Sequence, residues 1–269
     1  MSTPERPFAS YHLWSLIAPT AGQQHWHCQM RRGFIKVRQH EPRVKLLLGK
    51  ATASQRIGLL AQKGIYEFHY NQQLLDQSDG VEKVAQLLDL GNTTDEVQHR
   101  VLQILHKYHS QPLLLGKRIV LLTRGDEGFP KAILIESKNY SFRLYATMDC
   151  VFAESDNTLH ILDFKTGKSP FDRRQALVYL LAARYLYPGY RVVASFYNLE
   201  FIKQSEIIHM SESELDCVEL ELANIAQKHQ IDVHSCHTEE DFPDIFPPNP
   251  GYHCRFCPFH SICEFSQTI

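Results

Sequence analysis

Between Lys117 and Lys165 four short apolar segments follow one another: "KRIVLLT", "KAILIES", "SFRLYATMDCVF" and "LHILDFKT". They are separated by "RGDEGFP", "KN" and "ESDN". Runs of this length, bounded by Gly, Pro, Asn and Asp, read as strands, and connections this short make successive strands antiparallel neighbours. The middle of the chain is therefore expected to be an antiparallel meander, against which everything else has to pack.

Helical patterns flank the meander. "SQRIGLLAQKGIYEFHYNQQLLDQ" carries the longest, and "TTDEVQHRVLQILHKYH" lines up Val97, Val101, Ile104, Leu105 and Tyr108 behind a Thr93/Glu96 capping-box spacing. After the meander, "DRRQALVYLLAARYLYPG" reads as a helix capped by Asp172 and stopped by Pro188-Gly189. A strand, "YRVVASFYNLEF", an edge strand, "SEIIHM", and a long helix opened by Ser211 and Glu214 complete a mixed α/β pattern.

The 269 residues suffice for one large domain or two modest ones. No apolar run approaches the roughly 18 residues of a membrane span, and "MSTPERPFASYHLW" lacks the basic-then-apolar order of a secretory signal. The expected location is the cytoplasm, with no membrane partner. The formal charge of −2 hides an uneven distribution: residues 31–50 hold seven Lys or Arg against the single acid Glu41. Seven cysteines, an odd number, argue for buried or metal-bound thiols over a disulfide framework.

In "LHILDFKTGK" the period of a strand sends Ile161, Asp163 and Lys165 to one face, so a carboxylate and an ammonium project side by side. Asp149 is a lone acid in the apolar run "LYATMDCVF" and needs a cation, a donor or a metal if buried. If the two strands are hairpin partners, Asp149 and Asp163 converge on one divalent ion, and their hard oxygens favour Mg²⁺ or Mn²⁺. Gln175 and Tyr179 stand i, i+4 at the start of the next helix and face the same way. Taken singly, the Asp163/Lys165 pair is an ordinary surface ion pair worth less than about 1 kcal/mol.

Taken together and in order, Asp149, then Asp163-Phe164-Lys165, then Gln175-Ala-Leu-Val-Tyr179 resembles the PD-(D/E)XK nuclease superfamily, in its RecB-type branch with D, DxK and QxxxY motifs. The resemblance implies a restriction-endonuclease-like α/β core of helix, three- to four-stranded meander, helix and strand, with added helices. It implies a single nuclease domain over residues 1–269, with an N-terminal segment at 1–54 and a cysteine tail at 246–269. It also implies metal-assisted phosphodiester hydrolysis, with Asp149, Asp163, the Phe164 carbonyl and a histidine as metal ligands. The candidate histidine is His69, although it follows Gly64 by five residues where the family spacing is four; Glu67 is a conceivable substitute. Lys165 is then expected to orient water or stabilise phosphate charge, and Gln175 and Tyr179 to position the reacting groups.

The tail "GYHCRFCPFHSICEF" places Cys254, Cys257 and Cys263 at C-x2-C-x5-C spacing. By spacing alone this suits zinc, completed by His253, His260 or Cys236, or an iron-sulfur cluster. Several RecB-type nucleases, including the AddB subunit and the nucleases of CRISPR spacer acquisition, carry such a tail with a fourth cysteine far upstream, binding a 4Fe-4S cluster that clasps the ends of the domain. The resemblance points to Cys28 as the fourth ligand, with Cys236 as its rival and the histidines of "HWHC" as further ligands if the metal is zinc. Cys150 and Cys217 read as buried thiols.

The basic run from Arg31, with Arg32, Lys36 and Arg38, could track phosphates, and Phe34 could stack on bases. The expected partner is DNA, single-stranded or at ends, in repair, recombination or defence. With no helicase or ATP-binding signature, unwinding would come from a partner. The alternative is a catalytically silent DNA-binding or scaffold subunit that keeps the fold and the cluster.

Overall fold

The structure, a computed structural model, describes residues 6–20, 22–154 and 157–266. In chain order its elements are β1 (Phe8–Ser10), α1 (Tyr11–Ile17), α2 (Gln29–Lys36), α3 (Pro42–Leu48), α4 (Ala53–Tyr70), α5 (Gln73–Asp76), α6 (Gly80–Leu87), α7 (Asp95–Ser110), β2 (Arg118–Leu122), β3 (Ile133–Glu136), β4 (Ser141–Tyr145), β5 (Cys150–Ala153), β6 (Thr158–Lys165), α8 (Arg173–Leu186), β7 (Arg191–Asn198), β8 (Lys203–Gln204), α9 (Glu212–Ser235) and α10 (Asp241–Ile245). They form two compact units. The first takes the described residues of Met1–Ala51, Ala132–Tyr145 and Asp216–Ile269, and the second those of Thr52–Lys131 and Ala146–Leu215.

The second unit is built on a sheet of order β2-β5-β6-β7-β8. β2, β5 and β6 run antiparallel, α8 carries the chain over to β7 parallel to β6, and β8 closes the edge antiparallel. The apolar stripe of α4 (Ile57, Ala61, Ile65, Phe68) and that of α7 (Val101, Ile104, Leu105) share one core with Phe152, Leu162 and Phe164 of the sheet. Gly64 lets α4 and α7 approach closely, since a Cβ there would stand 2.3 Å from Leu105 Cδ2. Its role is packing between helices.

Of the expected three- to four-stranded meander, β2, β5 and β6 form three antiparallel strands, but the four segments do not lie in one sheet. "SFRLYATMDCVF" leaves the strand conformation after Tyr145 and resumes it at Cys150, and its halves belong to different sheets. Alternating apolar residues satisfy any partner strand, so the pattern alone does not assign the sheet. Thr94, rather than Thr93, is the N-cap of α7. "SEIIHM" reduces to a single bridge between Ile208 and Ala194.

In the first unit β1 pairs parallel with β4, and β3 and β4 form a hairpin. Its aromatic core joins early and late segments of the chain. Phe34 of α2 stacks on Phe259 at 4.9 Å and meets Phe242 of α10 edge-on at 5.6 Å. A Cβ on Gly33 would lie 2.7 Å from the Phe242 ring, so α2 needs glycine at that crossing. The Asn249 amide donates to the His27 and His25 carbonyls at 2.9 and 3.2 Å.

Two expectations for the basic run fail here. Arg32 is 1% exposed and donates to Asp232 Oδ2 at 2.6 Å, with Phe246 4.7 Å from its guanidinium, and Phe34 is core. Arg38 meets Glu41 at 3.4 Å and stacks 4.1 Å from the Phe242 ring. Lys36 lies over Phe8 at 5.5 Å, and burial lowers its pKa. A buried ion pair between residues 200 positions apart is invisible in a local charge count. Cys217 is exposed, because the buried stripe of α9 runs through Leu215, Val218 and Leu222 instead. No described helix is long and apolar enough to cross a membrane.

Candidate active site

The β5/β6 register pairs Cys150 with Leu162, which places Asp149, just ahead of β5, beside the end of β6 that carries Asp163. Asp149 Oδ2 accepts the Phe164 backbone N–H at 2.8 Å, and its Oδ1 accepts from Gln62 Nε2 at 3.1 Å. Asp163 is 2% exposed. Its Oδ1 accepts from the Tyr179 hydroxyl at 2.9 Å and from Gln175 Nε2 at 3.0 Å. Its Oδ2 faces the Lys165 ammonium at 2.5 Å, but the alignment is too poor for a hydrogen bond and the atom has no other partner.

Gln175 ties the set together. Its Oε1 accepts from Lys165 Nζ at 2.8 Å while its Nε2 donates to the Tyr179 hydroxyl at 2.6 Å. The i, i+4 spacing on α8 puts both side chains on the face turned to β6. Asp172 starts that helix by accepting from the Arg174 N–H at 3.0 Å. The five residues singled out in the sequence, Asp149, Asp163, Lys165, Gln175 and Tyr179, thus stand around one point.

Burial, followed by the neighbouring Asp163 charge, pushes Asp149 up to about 8. Burial also raises Asp163, although the Lys165 ammonium pulls it back. Two buried carboxylates with one ammonium between them are short of positive charge. Their hard oxygens, and the Oδ2 without an aligned donor, fit a small divalent cation. Among the described residues no group of three or more His, Cys, Asp or Glu is arranged to hold a metal ion, so the remaining ligands would be neutral oxygens.

His69 stands elsewhere. Its Nε2 is 2.7 Å from the Tyr108 hydroxyl of α7, its buried Nδ1 has no partner, and burial lowers its pKa to about 4. No contact joins it to either aspartate. Glu67 meets Arg124 at 3.4 Å. The residue of α4 that reaches Asp149 is Gln62, two helical turns and about 10 Å before His69. Its amide nitrogen also donates to Thr123 Oγ1 at 3.0 Å. Sequence reasoning missed Gln62 because it looked for an imidazole; the glycine-plus-four spacing holds from Gly58 to Gln62.

The first unit holds a second candidate site. Cys28, Cys254, Cys257 and Cys263 line one cavity of about 250 Å³ with Trp26 and Arg31. Burial raises the Cys257 and Cys263 thiols, and each of these lies within electrostatic reach of Cys28. Cys236 is not among the lining residues, and burial, followed by the Asp241 charge, raises its thiol pKa.

The sequence model of the PD-(D/E)XK nuclease superfamily matches residues 38–264. No curated protein matches the sequence. Among solved structures the chain aligns with "Crystal structure of SSO0001" at 13% identity and a TM-score of 0.32, over 76% of this chain and 94% of that one.

Proposed function

We propose, for a chain that belongs to the PD-(D/E)XK nuclease superfamily, a metal-dependent deoxyribonuclease of the RecB type. The observation that carries this reading is the closed set Asp163–Lys165–Gln175–Tyr179 beside Asp149. Asp149 and Asp163 would hold Mg²⁺ or Mn²⁺, with the Phe164 carbonyl as a neutral candidate and the Gln62 amide beside Asp149. Bound there, the cation would polarise the scissile phosphate and lower the pKa of the attacking water.

The chain's own groups do the rest. Lys165 Nζ donates one proton to Gln175 Oε1 and stands 2.5 Å from Asp163 Oδ2, which leaves protons of the ammonium for a phosphate oxygen or a water. Tyr179 and Gln175 hold Asp163 Oδ1 from one side, which leaves Oδ2 turned to the reaction. The silent-scaffold reading has one point in its favour: the side chain of α4 that reaches Asp149 is the neutral Gln62, while His69 turns to Tyr108. Against it, all five motif residues are present and connected.

The test is cleavage of end-labelled single-stranded and duplex DNA. Activity is expected with Mg²⁺ or Mn²⁺ and none in EDTA, and Gln62→His should lower the Mn²⁺ concentration for half-maximal rate several-fold, imidazole being a good Mn²⁺ ligand. Absence of cleavage with either ion would sink the enzyme reading. An Mn²⁺ dependence unmoved by Gln62→His would remove Gln62 from the metal site.

The metal-free protein should also report the two carboxylates. A carboxyl whose folded pKa is raised stabilises the fold fully below its unfolded pKa, and that stability is lost as the pH rises toward the folded value near 8. Melting in EDTA should therefore fall from pH 5 to pH 8 more steeply for wild type than for Asp149→Asn. Parallel slopes would show that Asp149 is not perturbed.

We read the four cysteines as ligands of a structural 4Fe-4S cluster, with zinc as the alternative. Four thiols lining one cavity are a soft ligand set for an iron-sulfur cluster or a zinc ion, and the resemblance of the C-x2-C-x5-C tail to that of iron-sulfur nucleases favours the cluster. The fourth ligand is then Cys28. DNA repair, recombination or defence in the cytoplasm, beside a strand-separating partner, is the setting this reading favours.

A further inference from the structure

Three large rings stand in solvent on the first unit, on two segments that meet at Asn249. Trp26, Tyr252 and Phe256 are 48%, 58% and 73% exposed. The Trp26 ring lies 5.9 Å from His253 and 5.2 Å from His25, and Tyr252 and Phe256 meet edge-on at 5.7 Å. Trp26 is braced by the two histidines, and Tyr252 and Phe256 brace each other, so large ring surfaces stay in solvent. Exposed aromatics gathered in this way mark a binding surface.

The charge on these segments is one-sided. From Arg6 to His40, and again from Ile245 to Cys263, the chain has no Asp or Glu. Arg255 lies 5.1 Å over the Tyr252 ring, and Arg31 is exposed at the rim of the cysteine cavity. Open rings interleaved with arginines, on segments without carboxylates, match a strand that offers unpaired base faces and phosphates at once. In a duplex, stacking on neighbours covers the base faces.

We infer that Trp26, Tyr252 and Phe256, with Arg31 and Arg255, form a binding surface for single-stranded DNA. The inference rests on the proposed DNA substrate, but it concerns binding by residues other than those of the cutting reaction. It also replaces the α2 track expected from the sequence: of that run, Arg31 alone belongs to this surface.

The test uses the full chain in EDTA, with labelled oligothymidylate and a duplex of equal length. Wild type should bind the single strand more tightly than the duplex and lose Trp26 fluorescence on binding; Trp14 is 3% exposed and should not respond. Trp26→Phe should keep the affinity and lose the quenching. Tyr252→Ala with Phe256→Ala should weaken single-strand binding by about tenfold or more. Arg255→Glu should flatten the salt dependence. Because the rings are exposed, these variants should fold, and an unchanged visible spectrum and melting curve check that they do.

Single-strand binding unaffected by loss of both rings, or a duplex bound as tightly as the strand, would overturn the surface, and the face would then belong to a protein partner. Cleavage with Mg²⁺ that persists in that case leaves the nuclease reading standing. Strand binding without cleavage at any metal sinks the nuclease reading and leaves the surface.

Discussion

Lys165→Ala is expected to lower the rate of DNA cleavage by about 10²–10⁴-fold with little change in melting temperature. The side chain is 26% exposed, and its aliphatic part fills no core position, so its loss costs little packing. What it removes is the one ammonium facing Asp163 Oδ2. Lys165→Arg should not rescue the rate, because a planar fork cannot reproduce the contact of a compact ammonium with Gln175 Oε1 and Asp163 Oδ2. Gln175→Ala should lie between the two extremes, since it acts by holding Lys165 and Asp163. Equal rates for Lys165→Ala and wild type would falsify the catalytic assignment.

The second large effect concerns the cysteines. Anaerobically purified wild type should be coloured and contain iron, and Cys28→Ser should be colourless and melt about 10–20 °C lower. The magnitude follows from loop closure: Cys28 and Cys254 are more than 200 residues apart, and a cross-link closing such a loop removes on the order of 5 kcal/mol of unfolded-state entropy. Cys236→Ser is the control and should retain both colour and melting point, because Cys236 does not line the cavity. Loss of colour in Cys236→Ser with retention in Cys28→Ser would reverse the assignment. A colourless, iron-free wild type would remove the cluster altogether.

Much of the second unit was legible because its constraints are local. The α7 stripe (Val97, Val101, Ile104, Leu105, Tyr108) is buried as its spacing requires, and Gln175 and Tyr179 meet because four residues make one helical turn. Features decided by distant partners were not legible. The break at Tyr145 depends on which sheet each half joins, and the fate of Arg32 depends on Asp232. Gln62 was missed for a chemical reason, since an amide carries neither the charge nor the ring that marks a ligand in a sequence. His69 offered the ring, but α4 turns it to Tyr108.

The first unit is assembled from three separate stretches of chain, and its aromatic core joins residues near position 34 to residues near 242 and 259. A ribosome adding about 5–20 residues per second delivers these partners roughly 10–40 s apart. Throughout that interval the segment around Phe34 and Arg32 is held out of its core, a cationic and apolar stretch of nascent chain suited to a holding chaperone. Translation that stops before Asp232 leaves this stretch without its partners. The burden falls on the machinery that tends nascent chains, and residues 242–263 carry the step that relieves it.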